Sequence, residues 1–396
     1  MWRSVVNFFR PGWLPLCLLL ILNMVAPAFA KYARVETEEV PVQRLLTNLE
    51  SKAKSPALSD KEKADLEFQI GRLQSMAYAL KTETARVRKG QPGALEGQVQ
   101  LPFYGVGPAA GRQFSVSETQ DKGQQSLAQE HLKEAIRHMR KALSLDPENL
   151  AAKLGLAWCL DQRGEKAQAL PLYRQVFRAG FESEGKQGGG LRGTSIAAET
   201  ADYLSNLLDP EKDAAELSDI AAKRTQLGHV FRAMTPIVVP VAPHVETSNL
   251  MAPAQIRFDL DGTGLRNYIS WPTAGQAAWL VYDGRHRGDI RSGLQLFGEK
   301  TFWIFWRDGY QALSALDDNG DGQLNGAELT GLCLWQDLNE DGLSQSGEVK
   351  PLSDYGIRSL SCLSTRGENG MLMSRGGVTF ENGQTADSYD WLLFPR

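Results

Sequence analysis

The sequence predicts a multidomain chain in which an all-α helical solenoid is followed by a small mixed α+β domain. Three observations carry this expectation: a repeat with a period of 34 residues, a change of composition after Pro236, and two twelve-residue segments, 317–328 and 337–348, with oxygen-bearing side chains at alternate positions. A length of 396 residues suits two or three domains. With 23% charged and 42% hydrophobic residues the chain is not globally disordered. A formal net charge of −4 leaves no basic excess to neutralise phosphates, which excludes nucleic-acid binding through bulk electrostatics. Four cysteines without Cys-x-x-Cys spacing make neither a disulfide framework nor a zinc site.

The first thirty residues read as a secretory signal. Arg3 and Arg10 precede an apolar run from Leu14 to Val25, and Ala28-Phe29-Ala30 supplies the small-x-small pattern of a cleavage site. The alternative is an uncleaved anchor over Trp13–Ala30, which Pro15, Asn23 and Pro27 interrupt. Cleavage after Ala30 is expected, leaving a mature chain that works in the periplasm or outside the cell with a charge of 41 − 47 = −6.

From Thr37 to about Val230 apolar residues recur three and four apart, as in Leu66, Ile70, Leu73, Met76, Ala77 and Leu80. Ser59 with Glu62 reads as a capping box. Shifting the chain by 34 lays Ala135 on Ala169, Met139 on Tyr173, and Ala142-Leu143 on Val176-Phe177. That is the period of the tetratricopeptide repeat, whose small residues let two antiparallel helices approach closely. The clearest copies are 116–149 and 150–183, with Pro147 closing one helix and the next opening at Leu150. Helix pairs Val42–Lys54 with Asp60–Thr82, and Thr194–Leu208 with Pro210–Gly228, are expected to flank them in a helical domain over 31–235. Gln98–Val116 reads as a non-helical insertion and Gly185–Gly193 as a glycine-rich linker. The solenoid is expected to hold a protein or peptide partner on its concave surface. Gly188 to Ser195 mimics a phosphate-binding loop but has Thr194 where the lysine must stand, so it reads as linker. His131 and His138, seven apart with no carboxylate motif beside them, read as ordinary surface histidines rather than metal ligands.

Residues 236–254 read as a linker that leaves the helices in extended form. The domain 255–396 is glycine-rich and aromatic and holds six of the seven mature tryptophans. Its 12 basic and 19 acidic residues give it −7, so the acidity of the chain belongs to this domain. The two loops explain part of it. In 317–328, Asp317, Asn319, Asp321 and Asn325 stand at positions 1, 3, 5 and 9, Gly322 at 6, Leu324 at 8 and Glu328 at 12, while Gln323 at 7 offers its carbonyl. This is the EF-hand calcium loop: a hard cation wants six to eight oxygens, alternating side chains point inward, glycine allows the sharp turn, and the final glutamate closes the site with two oxygens. In 337–348 the corresponding residues are Asp337, Asn339, Asp341, Leu343 (carbonyl), Gln345 and Glu348, with Ser344 replacing the apolar residue at position 8. Only Leu329–Gln336 separates the loops, and as a helix these eight residues span about 12 Å. That spacing is too tight for an opening groove, so two Ca²⁺ ions are expected to rigidify the fold rather than switch it. Three carboxylates per loop suit affinities of roughly micromolar to millimolar.

Four further segments, Phe258-Asp259-Leu260-Asp261-Gly262, Trp279-Leu280-Val281-Tyr282-Asp283, Leu296-Phe297-Gly298 and Leu334-Trp335-Gln336-Asp337, occur in that order. Together with the two loops they resemble the EF-hand-bearing C-terminal region of RTX-type secreted bacterial calcium-binding proteins. The layout of signal, helices and this domain is similar to a family of uncharacterised bacterial tetratricopeptide-repeat/EF-hand proteins. The resemblance implies calcium binding and no enzymatic activity. Such relatives often carry another calcium loop at the place of 283–289, but here Arg285 and Arg287 stand at positions 3 and 5, so a relic loop without metal is expected.

One enzyme reading competes. Ile256 to Thr263 matches the nucleophile motif of haloacid-dehalogenase-like Mg²⁺-dependent phosphohydrolases, with Asp259 attacking phosphorus and Asp261 as acid/base. That chemistry needs a doubly wound parallel sheet, and the following fifty residues show almost no helical periodicity. A disulfide between Cys333 and Cys362 is open in an oxidising compartment. The expected fold class is therefore multidomain: an all-α tetratricopeptide-like helical solenoid followed by a small mixed α+β EF-hand calcium-binding domain, in a protein that is not an enzyme.

Overall fold

Helix α1 (Val42–Ala53) follows a short strand β1 (Glu39–Pro41) and buries Val42, Leu45, Leu46 and Leu49, an amphipathic stripe with helical spacing. The next helix, α2 (Asp60–Leu80), starts on the expected capping box: Ser59 Oγ accepts from Glu62 N at 3.3 Å and Glu62 Oε2 accepts from Ser59 N at 2.9 Å. From Leu66 to Ala79 every residue of α2 is buried, so this helix is covered all round. After it, β2 (Thr84–Arg86) pairs antiparallel with β1. The computed structural model describes residues 39–86, 119–186, 191–192, 195–227, 232–260, 266–304, 306–367 and 370–393. The expected signal 1–30 and insertion 98–116 lie outside them, as do 187–190, 193 and 194 of the glycine-rich segment.

The repeats follow as α3 (Lys122–Leu145), α4 (Leu150–Gln162) and α5 (Lys166–Lys186), and the pair expected to flank them as α6 (Ile196–Leu207) and α7 (Ala214–Leu227), each helix packed on the next. Asn149 caps α4 by accepting from Ala152 N at 2.9 Å, which places the helix start where the sequence put it. Ala135, Met139 and Ala142 on α3 and their 34-shifted partners Ala169, Tyr173 and Val176 on α5 are all fully buried. The repeat period is thus a packing period. Between α5 and α7, strand β3 (Leu191–Arg192) pairs parallel with β4 (Arg232–Ala233).

The C-terminal region corrects the expected fold class. It is a curled antiparallel half-barrel rather than a small α+β EF-hand domain. Its strands are β5 (Ile237–Pro240), β8 (Ala277–Tyr282), β9 (Gln323–Asn325), β10 (Leu332–Trp335), β11 (Val349–Pro351), β12 (Ile357–Ser361), β13 (Thr365–Arg366), β14 (Leu372–Phe380) and β15 (Thr385–Asp390). They are ordered β11-β10-β8-β5-β15-β14-β12-β9, with β13 beside β14. A separate antiparallel hairpin of β6 (Met251–Phe258) and β7 (Asn267–Pro272) lies outside that sheet. Among the described residues the one α-helix here, α8 (Gly309–Ser314), has six residues. The segment read as a linker supplies β5, whose four residues are all buried between β8 and β15. Leu329–Gln336 is likewise not a helix. Leu332 to Trp335 are four consecutive buried apolar residues hydrogen-bonded to β8 on one side and β11 on the other, a strand covered on both faces.

The sheet and the front helices share one core. Leu45, Leu49, Leu66, Ile70 and Leu73 pack in the same apolar cluster as Trp271, Trp279, Trp335 and Phe258. The opposite side of α2, through Phe68, Tyr78 and Ala79, joins a second cluster formed by α3 to α7. Polar residues buried on α2 bridge to its neighbours: Glu67 to His138, Gln74 to His131, and Gln69 to Gln311 of α8.

The β6–β7 pairing also counts against the phosphohydrolase reading. A doubly wound sheet needs parallel strands after the aspartate motif, whereas β6 turns straight back into antiparallel β7. Asp259 is buried at the end of β6, and Asp261 lies outside the described residues.

Candidate metal-binding loops

Loop 317–328 runs from α8 into β9 and one 3₁₀ turn, Gly326–Leu329. Its first carboxylate folds the chain around itself: Asp317 Oδ1 accepts from Gly320 N at 2.8 Å and Oδ2 from Gly322 N at 2.9 Å. Gly320 and Gly322 have φ of +73° and +82°, a left-handed conformation natural to glycine. The last carboxylate closes the loop. Glu328 Oε1 accepts from Asp318 N and Asn319 N at 2.8 and 3.2 Å, and Oε2 from Asn325 N at 3.0 Å. Asn319 Oδ1 accepts from Asp321 N, and Asp321 Oδ1 from Gln323 N, both at 2.8 Å.

Loop 337–348 repeats this bonding inside a different frame, a connection between antiparallel strands β10 and β11. Asp337 Oδ2 accepts from Gly342 N at 2.8 Å and Glu348 takes Leu338 N at 3.2 Å and Gln345 N at 2.9 Å. Asp341 Oδ1 accepts from Leu343 N at 2.8 Å and Oδ2 from the Gln345 amide at 2.7 Å. Glu340 and Gly342 take the positive φ values of +56° and +69°. In both loops the carboxylates of positions 1 and 12 are buried, while the side chains at positions 3, 5 and 9, two amides and one carboxylate, stay exposed. Burial raises the Asp337 carboxyl above its ordinary range, helped by the charges of Glu348 and Asp341 and opposed by its backbone hydrogen bonds.

Among the described residues no three His, Cys, Asp or Glu side chains converge as a ready metal cage. The sequence-predicted ligand set is broader than those residue types, because Asn319 or Asn339 and the position-7 carbonyl belong to it. The donors are all oxygen, several of them anionic, and held by backbone N–H groups rather than by cationic side chains. Such a set fits a hard divalent cation.

A third loop was legible only in part. Asp283 Oδ1 accepts from Arg287 N at 3.0 Å and Oδ2 from Gly288 N at 2.8 Å, with φ of +51° at His286 and +63° at Gly288. Residues 283–288 therefore keep the loop backbone, with arginines at positions 3 and 5. The unusual Ser344 joins this loop to its neighbour: its hydroxyl accepts from Ile290 N at 2.8 Å and donates to Ile290 O at 3.1 Å.

Other expectations are corrected. His138 is buried, not a surface residue, and pairs with Glu67 of α2 at 2.6 Å, while His131 contacts Glu83 at 2.9 Å. Cys159, Cys333 and Cys362 are free thiols, with Cys333 in β10 and Cys362 beyond β12, five strands apart in the sheet order. Sequence reasoning missed Arg44 and Asn48, which touch the first loop from 270 residues away.

Two family models match the chain. The tetratricopeptide repeat model covers residues 126–186 and the SPM domain model covers residues 244–394. The chain is also similar to the iron-regulated protein FrpA of Neisseria meningitidis serogroup C, with 34% identity over 191 residues. That match covers 46% of this chain and 17% of FrpA. The SPM match takes in β6 to β15 and both loops, and the repeat match takes in α3 to α5 up to Lys186.

Proposed function

We propose that this is a calcium-binding protein of the periplasm or cell exterior, without a catalytic step of its own, in which two Ca²⁺ ions stabilise the half-barrel and the tetratricopeptide repeats present a surface to a protein or peptide partner. One observation carries the calcium reading: two loops in unlike frames, one leaving a helix and one joining two strands, have the same carboxylate-to-backbone bonding at positions 1, 5 and 12. The ligands would be Asp317, Asn319, Asp321, Gln323, Asn325 and Glu328 in the first loop, and Asp337, Asn339, Asp341, Leu343, Gln345 and Glu348 in the second. Bound calcium supplies charge, offsetting three carboxylates per loop. The residues themselves preorganise the oxygens, because each buried carboxylate is already oriented by one or more N–H groups. The extracytoplasmic placement rests on the signal-like N-terminus, and the partner on the general use of repeat solenoids. Among the described residues no helix is long and apolar enough to cross a membrane.

The test is a calcium titration of the chain from Lys31 onward by calorimetry. Two ions bound, reduced to none in Asp317→Ala with Asp337→Ala, is the expected outcome. Absence of binding at millimolar calcium sinks the reading.

A further inference from the structure

The first loop is gripped from outside by the helical half of the protein. Arg44 Nε of α1 donates to Asp318 Oδ1 at 2.7 Å, and its terminal nitrogen donates to the Leu316 carbonyl at 3.1 Å. Asn48, one turn further on and buried, donates its amide to the Ala315 carbonyl at 3.0 Å and to the same Asp318 Oδ1 at 2.8 Å. Lys52, another turn along, lies close enough for its charge to act on Asp317. Residues 44, 48 and 52 form one face of α1. Together Arg44 and Asn48 hold Leu316 and Asp318, the two neighbours of the position-1 ligand Asp317, along with the carbonyl of Ala315, the residue that follows α8.

Among the described residues the second loop has no such grip from the helices. Its position-2 residue is Leu338, 56% exposed, where the first loop has Asp318. It is steadied from the C-terminal region instead: beside the β6–β7 hairpin Arg266 donates to the Gly342 carbonyl at 3.1 Å and Ala274 N to Glu340 at 3.4 Å, and Ser344 meets Ile290.

We propose that Arg44 and Asn48 are positioning residues for cation binding in loop 317–328, so that a cation there and the docking of α1 on the half-barrel strengthen each other. The proposal rests on the calcium reading of that loop. Outer-sphere partners orient the groups that ligate a metal, and their loss commonly costs about 10–100-fold in affinity. Coupling between two equilibria is reciprocal, so what α1 does for the cation the cation does for α1. Because α1 shares its core with the half-barrel and with α2, the first loop ties the half-barrel to the front helices, and among the described residues the second loop has no bond to them.

The experiment uses the chain from Lys31 onward with calcium as the probe, and isolates each loop by disabling the other. In a Glu348→Gln background only the first loop titrates, and adding Arg44→Ala with Asn48→Ala is expected to weaken binding about 10-fold. In a Glu328→Gln background the same pair is expected to leave the second loop's affinity within a factor of two. Asp318→Ala approaches the contact from the loop side and leaves the apolar face of α1 intact; combined with Arg44→Ala it should lower affinity by less than the product of the two single losses. Hydrogen exchange gives the reverse reading: calcium should slow the amides of α1 in Glu348→Gln and not in Glu328→Gln. Equal calcium affinity with and without Arg44 and Asn48, a strictly multiplicative Asp318–Arg44 pair, or unchanged α1 exchange overturns the proposal with calcium binding still standing. No calcium binding by the unaltered chain overturns both.

Discussion

The two hydrophobic cores meet on α2, yet they are closed in different ways. The repeat core, α3 to α7 with one side of α2, is sealed by large buried side chains such as Trp158 and Tyr173, and several buried polar groups find partners inside the protein, as Glu67 does with His138 and Tyr203 with Glu199. The half-barrel core is as apolar, but its rim carries two loops whose position-1 and position-12 carboxylates are buried on backbone N–H groups. In each loop two carboxylates are buried, and in the second burial raises Asp337 above its ordinary range, against its charged form. The difference teaches that a divalent cation should stabilise one core and leave the other to its packing.

The largest effect expected of a single substitution or a single site breaks the repeat core alone. Trp158→Ala should cost about 3–5 kcal/mol in that core, read as a lowered first transition in chemical denaturation, with the calcium response of the half-barrel unchanged. Next comes the ion itself. Calcium at about 100 times its dissociation constant should stabilise the half-barrel by about 2.7 kcal/mol per site, and Glu328→Ala with Glu348→Ala should abolish the gain; an equal rise of both transitions would refute the division.

A smaller effect marks the repeat core by pH. Burial pushes the Asp202 carboxyl up to about 6 despite its ion pair with Arg224. Its folded value is above its unfolded one, so its contribution is fully present below the ordinary carboxylate value of 3.8 and is lost as pH rises through about 6. Stability of the repeat transition should therefore fall across that window, by about 1–3 kcal/mol, and the fall should vanish in Asp202→Asn. The smallest effect is shared: Ser59→Ala removes the cap of α2 and should lower both transitions by about 1 kcal/mol, because both cores lean on that helix. If only one transition moves, α2 does not join them.

What was legible in the sequence was local. The Ser59–Glu62 box and the helix start at Leu150 are set by residues within one turn of each other, and the buried 34-residue period by one helix pair and the next. The two loops were legible for the same reason, since twelve consecutive residues contain both the donors and the glycines they need. The half-barrel was not. Its strands are two to nine residues long, and its order places β5 at Ile237 beside β15 at Asp390, so no short window of sequence contains the pairings that close its middle. Leu332–Trp335 read as helix because a run of four apolar residues has no period of its own; its two hydrogen-bonded neighbours decide it. The grip of Arg44 and Asn48 on Asp318 left no sequence signal at all, being an accident of two surfaces brought together by the shared core.

Trp335 offers the most direct test. It is fully buried against Phe258 and Trp271, and its indole N–H points at Glu348 Oε2 at 3.4 Å, one of the two oxygens proposed to close the second loop. Titrating calcium into the chain while following tryptophan emission should give a saturable change, accompanied by a rise in the half-barrel transition and none in that of the repeats. Glu348→Gln should remove most of the emission change. A flat titration, or a change that persists undiminished in Glu328→Gln with Glu348→Gln, would contradict the account.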